Sequence, residues 1–238
     1  MAMATMMTTA DGAPRTQFWA VRHGQTDYNV ERRLQGQRES SLTELGRRQA
    51  DGAGRALAAM GLAFDVCYCS PLRRTRETAE LIAAHLGLSP IPDPRIQEWC
   101  LGQGEGLLWD EAAAEFPQLA LLNRRDDPAL GLPGGETRRQ LWTRVGEALE
   151  EFAVRHAGQR VLLVSHGGAI RAMFHHVCGD VPAHAWLPQV DNASLSRFER
   201  RGDAWRLLSF NETAFQQMPL EIPRKISPSA EQAPPSVF

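Results

Sequence analysis

The stretch Arg22-His23-Gly24-Gln25-Thr26 gathers residue types that suit phosphate chemistry. An arginine offers a planar fork of donors to phosphate oxygens. A neutral imidazole beside it can attack phosphorus and hold it covalently. Gly24 is expected to leave room for a phosphate to approach the backbone closely. A second histidine, His166, precedes Gly167-Gly168, and Arg73-Arg74 follows Ser70-Pro71-Leu72. Two histidines and at least two arginines converging on a helix N-terminus would make an anion site with a nucleophile inside it. Phosphoryl transfer also needs in-line geometry, neutralised non-bridging oxygens and an acid to protonate the departing alkoxide. Glu98, just after the extended stretch 91–96, is the expected donor.

The elements that must position these groups are legible in the pattern. Residues 17–22 form a short apolar strand that stops at Arg22, and 65–70 read as a second buried strand. Val161-Leu162-Leu163-Val164 is the strongest strand pattern, ending at Ser165-His166. The polar stretch 25–41 reads as a long loop, a feature that is usually functional inside a compact domain. Thr43 is placed to cap a helix running to Met60, with Leu45, Ala53, Leu57 and Met60 on its apolar stripe. Further helices are expected over 73–86, 109–116, 137–156 and from Gly167 to Cys178, with Gly87 closing the first. Ile91 to Ile96 is Pro-rich, hence an edge strand or loop. Segments 194–199 and 205–210 flank Arg201-Gly202-Asp203 as a hairpin. Alternating strands and helices point to an α/β fold, a layered domain with a mostly parallel sheet. In such sheets ligands collect at the carboxyl ends of strands, where Arg22-His23 and His166 both lie.

Composition narrows the chemistry. The 238 residues suit one domain, and a net charge of −2 suggests no nucleic-acid or anionic-membrane surface. Lys225, in the C-terminal tail, is the only lysine, which argues against a P-loop or Schiff-base enzyme. Cys67, Cys69, Cys100 and Cys178 have no zinc or C-x-x-C spacing and read as buried free thiols. Adjacent His175 and His176 face different directions on a helix and so cannot easily share a metal ion. No apolar run is long enough to span a membrane, and 1–16 lacks the plan of a secretory signal, so a cytoplasmic setting is expected. Residues 1–16 are expected to be disordered, 17–211 to form the domain, and 212–238 to be a Pro-rich mobile tail.

As an ordered set, these motifs resemble the histidine phosphatase superfamily, the family of cofactor-dependent phosphoglycerate mutases and related phosphatases. The resemblance rests on Arg22-His23-Gly24-Gln25-Thr26, Asn29, Gln35-Gly36, Leu42-Thr43-Glu44-Leu45-Gly46 and Gln49-Ala50. It continues through Ser70-Pro71-Leu72, Arg74, Thr78-Ala79, Glu98 with Gly102, Glu105 and Gly106, then Gly134-Gly135-Glu136 and Val164-Ser165-His166-Gly167-Gly168. It implies a three-layer α/β/α sandwich and a small phosphorylated metabolite as substrate, with no metal or cofactor; a homodimer is left open. By resemblance, His23 is the nucleophile, and Arg22, Arg74 and His166 grip the phosphoryl oxygens with Asn29, Gln35 and the Gly167 N–H assisting. Glu98 is then general acid, and Glu105 a structural hydrogen-bonder. Thr75 replaces the family's usual alanine, and Gly104 stands where many members carry a tryptophan bordering the substrate mouth. Mutases of the family carry a long insertion between acid and second histidine. Here only Trp99 to Ser165 intervenes, so hydrolysis is expected over mutase activity, and because Arg22, His23, Arg74, Glu98 and His166 are all kept it is expected over non-catalytic binding of a phosphorylated ligand.

Overall fold

The computed structural model describes residues 7–8, 12–121, 127–180 and 187–217. Its centre is a six-stranded sheet built from β1 (Arg15–Arg22), β2 (Val66–Cys69), β3 (Pro90–Pro92), β4 (Arg160–Ser165), β5 (Leu195–Arg201) and β6 (Ala204–Glu212), in the order β3-β2-β4-β1-β5-β6. The first four in that order run parallel, and β5 and β6 close the sheet antiparallel. The expected α/β architecture is therefore present, with an antiparallel hairpin at one edge.

Two cores make the layers. Along β1 the side chains alternate, so Phe18 and Ala20 join one apolar cluster and Trp19 and Val21 the other. The first cluster takes in Leu149 and Phe152 of α5 (Arg138–Arg155) and Ile170 and Met173 of α6 (Gly167–Cys178). The second takes in Ala53 and Leu57 of α2 (Glu44–Ala59) and Ala79 and Ile82 of α3 (Arg73–Leu86). Helices on both faces of a buried, largely parallel sheet give the three layers.

Register brings the chemistry together. Arg22 lies opposite Ser165, and Val164 opposite Cys69, so β1, β4 and β2 end level with one another. The residues that follow, His23, His166 and Ser70, emerge at one rim of the sheet.

Several expectations need correction. Stretch 25–41 is not all loop: it holds the short helix α1 (Asp27–Glu31), capped by Thr26 with Asn29 completing a capping box. On α2, Leu45 and Met60 are exposed, and the buried face is instead Gly46, Ala50, Ala53, Gly54 and Leu57. That helix lies too close to its neighbours for large side chains, so small residues carry the packing. Arg15 and Thr16 belong to β1, and the Met7 N–H donates to the Gly158 carbonyl, so the disorder expected of 1–16 does not extend to these positions. Of the cysteines, all free, Cys67 and Cys69 are buried, Cys100 half-buried and Cys178 exposed. The tail beyond residue 217 lies outside the described residues. Among the described residues no helix is long and apolar enough to cross a membrane.

Candidate active site

His23 follows β1 and is almost wholly buried. Its Nδ1 lies 2.8 Å from the Gly24 carbonyl oxygen. A carbonyl can only accept, so Nδ1 carries the proton and Nε2 keeps its lone pair. Burial, and then the neighbouring guanidinium groups of Arg74 and Arg22, hold the imidazole well below the usual histidine range. The result is a neutral ring with its basic nitrogen defined, which is the form a nucleophile requires.

What keeps His23 in place is the α2 start. A Cβ at Gly24 would lie 2.2 Å from the Gly46 carbonyl oxygen, and one at Gly46 would lie 2.0 Å from the Gln25 carbonyl oxygen. The room that Gly24 provides is therefore taken by the backbone of α2, which corrects the expectation that it serves a phosphate. Gln49 accepts the Gln25 N–H at 2.9 Å, and Thr43 accepts the Gly46 N–H at 3.0 Å while donating to the Gln25 side chain. The spacing of Thr43, Gly46 and Gln49 thus encodes a clamp on the loop behind His23.

Arg74 enters from the first turn of α3 and is fully buried. It donates to the carbonyls of Arg38 and Gly36, each at 2.7 Å, and through Nε to His166 Nδ1 at 3.2 Å. Because Arg74 is a donor only, His166 accepts at Nδ1, and its Nε2–H donates to Ser70 Oγ at 2.8 Å. The two imidazole rings lie 5.2 Å apart at 64°. Burial, then Arg74, holds His166 too far below its ordinary range. Thr78 ties the two halves together, accepting the Gly24 N–H at 3.1 Å and donating to the Arg74 carbonyl. Arg73 is exposed, and only its backbone N–H is engaged, by Glu39.

Arg22 donates to the Val190 carbonyl at 2.6 Å, while its Nε is buried without a partner among the described residues. Desolvation brings its guanidinium down to about 10, opposed chiefly by Glu98. Gln35 likewise has a buried side-chain oxygen without a partner. Asn29 gives its side-chain oxygen to the Thr26 cap and to Asn192. Asn192, which also donates to the His23 carbonyl at 3.1 Å, escaped the sequence reading because nothing local marks it. Ser70 and Thr78 had a signal, since both lie inside the motif around Arg74.

Glu98 occupies the N-terminus of α6. Its carboxylate accepts the N–H groups of Trp99 at 2.9 Å, Gly168 at 3.1 Å and Ala169 at 3.2 Å. A Cβ at Gly168 would stand 2.3 Å from Glu98 Oε1, so a larger residue here would push the carboxylate from its place. Glu98 is also the carboxylate whose charge most favours the ionised form of both Arg22 and Arg74. Gly167 follows His166 at the opening of the same helix.

Other candidates separate cleanly. Glu105 accepts the N–H groups of Gln37 and Leu101, each at 2.9 Å, and so ties two loops together. Asp110 and Glu111 stand in the first turn of α4 (Trp109–Glu115), where Glu111 accepts the Leu108 N–H. His175 stacks on Trp142 at 3.7 Å and pairs with Asp180, whereas His176 pairs with Glu150. Thr75 turns its hydroxyl to the Leu72 and Ser70 carbonyls, so the change from alanine is satisfied locally. Buried Gly104 faces Leu132, whose Cδ1 would stand 2.5 Å from an added Cβ.

A buried neutral imidazole, two desolvated arginines and a carboxyl group on a helix N-terminus gather at the strand ends of a largely parallel α/β sheet, an arrangement whose chemistry suits phosphoryl transfer. Residues 18–213 match the family model of the histidine phosphatase superfamily (branch 1), and the chain belongs to that family. It is 34% identical over 209 residues to a probable phosphoglycerate mutase, GpmB, of Yersinia pestis, covering 85% of this chain and 96% of the relative. A mycobacterial glucosyl-3-phosphoglycerate phosphatase solved with VO3 is similar at 32% identity and a TM-score of 0.75, over 84% of this chain and 100% of that one. YhfR of Bacillus stearothermophilus is similar at 31% identity and a TM-score of 0.76, over 84% and 98%.

Proposed function

We propose that this chain is a phosphomonoesterase that hydrolyses a small phosphorylated metabolite through a phosphohistidine on His23. The observation that carries this reading is the tautomer of His23: Nδ1–H is bound to the Gly24 carbonyl, which leaves the Nε2 lone pair free between two arginines. In the first step that lone pair forms the N–P bond as the ester P–O bond breaks. Glu98, in its acid form, gives its proton to the departing alkoxide. Positive charge left on the ring is met at Nδ1–H by the Gly24 carbonyl. In the second step water attacks phosphorus, its proton passes to the Glu98 carboxylate, the N–P bond breaks, and inorganic phosphate leaves. Arg22 and Arg74 neutralise the non-bridging oxygens, the task a metal ion performs in other phosphoryl-transfer sites, so none is required here. His166 contributes its Nε2–H to the phosphoryl group by releasing Ser70. Asn29, Gln35 and the Gly167 N–H assist.

Hydrolysis is favoured over transfer because a mutase must exclude water while the phosphoryl group waits on histidine. Among the described residues, the stretch from Trp99 to Ser165 goes into α4, α5 and β4 of the domain itself, which supports an open pocket. The likeness to a probable phosphoglycerate mutase keeps transfer between hydroxyls of phosphoglycerate as the second reading. Free cysteines support a reducing, cytoplasmic setting. The test is phosphate release from an aryl phosphate in EDTA, with mass-spectrometric trapping of the phosphoenzyme. Wild type is expected to turn over and to trap on His23. Turnover without a trapped histidine would overturn the mechanism, and phosphoglycerate isomerisation without phosphate release would favour the mutase.

A further inference from the structure

Glu98 lies in the irregular stretch 97–101 between two single-turn 3-10 helices, Pro94–Ile96 and Gly102–Gly104, and the Gly134-Gly135-Glu136 motif is not used by the chemistry above. Both facts meet at Arg144, on the inner face of α5. Its Nη1 donates to the carbonyls of Arg95 and Gln97, each at 2.9 Å, and its Nη2 to the carbonyl of Glu98 itself at 2.8 Å. The two remaining N–H groups go to Glu136, Nη2 to Oε1 at 2.5 Å and Nε to Oε2 at 3.0 Å. A guanidinium has five N–H groups, and all five are spent here. Glu136 extends the grip beyond the acid: its Oε1 accepts the Cys100 N–H, and its carbonyl accepts Trp99 Nε1 at 2.8 Å.

We propose that Arg144, locked by Glu136, is the positioning residue for the general acid. Resting on the phosphatase reading above, it fixes the backbone of 95–100 so that the Glu98 carboxyl meets the leaving oxygen. The physical reason is that a loop without ladder hydrogen bonds must satisfy its carbonyls by other means. A single planar fork can satisfy three of them in one fixed geometry. A lysine would keep the charge but supplies three freely rotating N–H groups on a compact head, which cannot reproduce that fork. A misplacement of about 1 Å at an acid costs up to about 10²-fold in rate.

The experiment compares kcat on an alkyl ester, glycerol phosphate, with kcat on p-nitrophenyl phosphate, whose leaving group needs little protonation. The proteins are wild type, R144K, E136Q, E98Q and R144K/E98Q, each checked for folding by circular dichroism. R144K is expected to lose about 10- to 10²-fold on the alkyl ester and several-fold less on the aryl ester, the same leaving-group signature as E98Q. E136Q should show it more weakly, and it carries the test if R144K does not fold. The double variant should be no slower than E98Q on the alkyl ester, since both changes remove one function. Equal losses on the two esters in R144K, a wild-type alkyl rate in R144K, or additive losses in the double variant would overturn the positioning role. Equal losses in E98Q would instead overturn Glu98 as the acid, and this proposal with it.

Discussion

The floor of the pocket and the acid loop solve the same positioning problem in opposite ways. His23, Ser70 and His166 sit on the ends of three adjacent parallel strands, and the strand register sets their spacing before any side chain adds to it. The acid loop has no such ladder. Glu98 is held from three sides, by backbone N–H groups of α6, by the Arg144 fork and by the Gln37 side chain on its carbonyl. A strand end is rigid because its neighbours are; a loop is only as rigid as the side chains that grip it. The floor should therefore respond to changes in the reacting groups themselves and in backbone clearance. The loop should respond to changes at a distance.

The largest effect belongs to the floor. His23→Ala is expected to lower phosphate release by about 10⁴-fold or more and to abolish the phosphoenzyme, with folding retained. A variant that still traps phosphate on protein would break the comparison at its root. Next comes Glu98→Gln, with a loss of about 10² to 10⁴ on alkyl esters and less on activated aryl esters. Gly46→Ala sharpens the contrast without touching a reacting group. Its methyl would meet the Gln25 carbonyl, so urea unfolding should report about 1–3 kcal/mol of destabilisation together with reduced turnover. Arg73→Ala, beside fully buried Arg74, should change stability by no more than about 0.5 kcal/mol and leave kcat/KM within about threefold.

A pH measurement separates the regions by a different route. His23 and His166 are both held well below the ordinary histidine range by burial and by the arginines around them. Below about pH 6.5 the unfolded chain binds protons at both positions and the folded chain does not. Stability contributed by these groups is thus present above that pH and lost as it falls, by up to about 1.4 kcal/mol per pH unit for each group. In ¹⁵N spectra of the imidazole rings neither residue should titrate between pH 6 and 8, and a midpoint near 6.5 for His23 would contradict the buried, arginine-flanked floor.

How much was legible depended on the range of the determining contact. Helix α3 could be bounded from Arg73 to Gly87 because its start follows Pro71 and its end is a glycine in the left-handed region. The strand ends were visible as apolar runs stopping at polar residues. The short helix α1 was not, because five residues carry no periodicity and only the Thr26–Asn29 capping pair marks it. Periodicity puts Leu45 and Met60 on the buried stripe, yet the close approach of α2 to the loop at Gln25 and to α3 favours Gly46 and Gly54. Asn192 carried no local sign at all.

The sequence by itself determined which groups are present and in what order: a histidine and an arginine at one strand end, a histidine at another, an arginine at a helix start and one acid. Those choices are local, since strand ends, caps and glycine stops depend on a few neighbouring residues. Only the tertiary structure decided the protonation geometry of His23 and His166, the occupation of the space at Gly24 by α2, and the grip of Arg144 on three carbonyls of the Glu98 loop. Each of these depends on groups distant in the chain meeting at hydrogen-bonding range, and no local pattern encodes such a meeting.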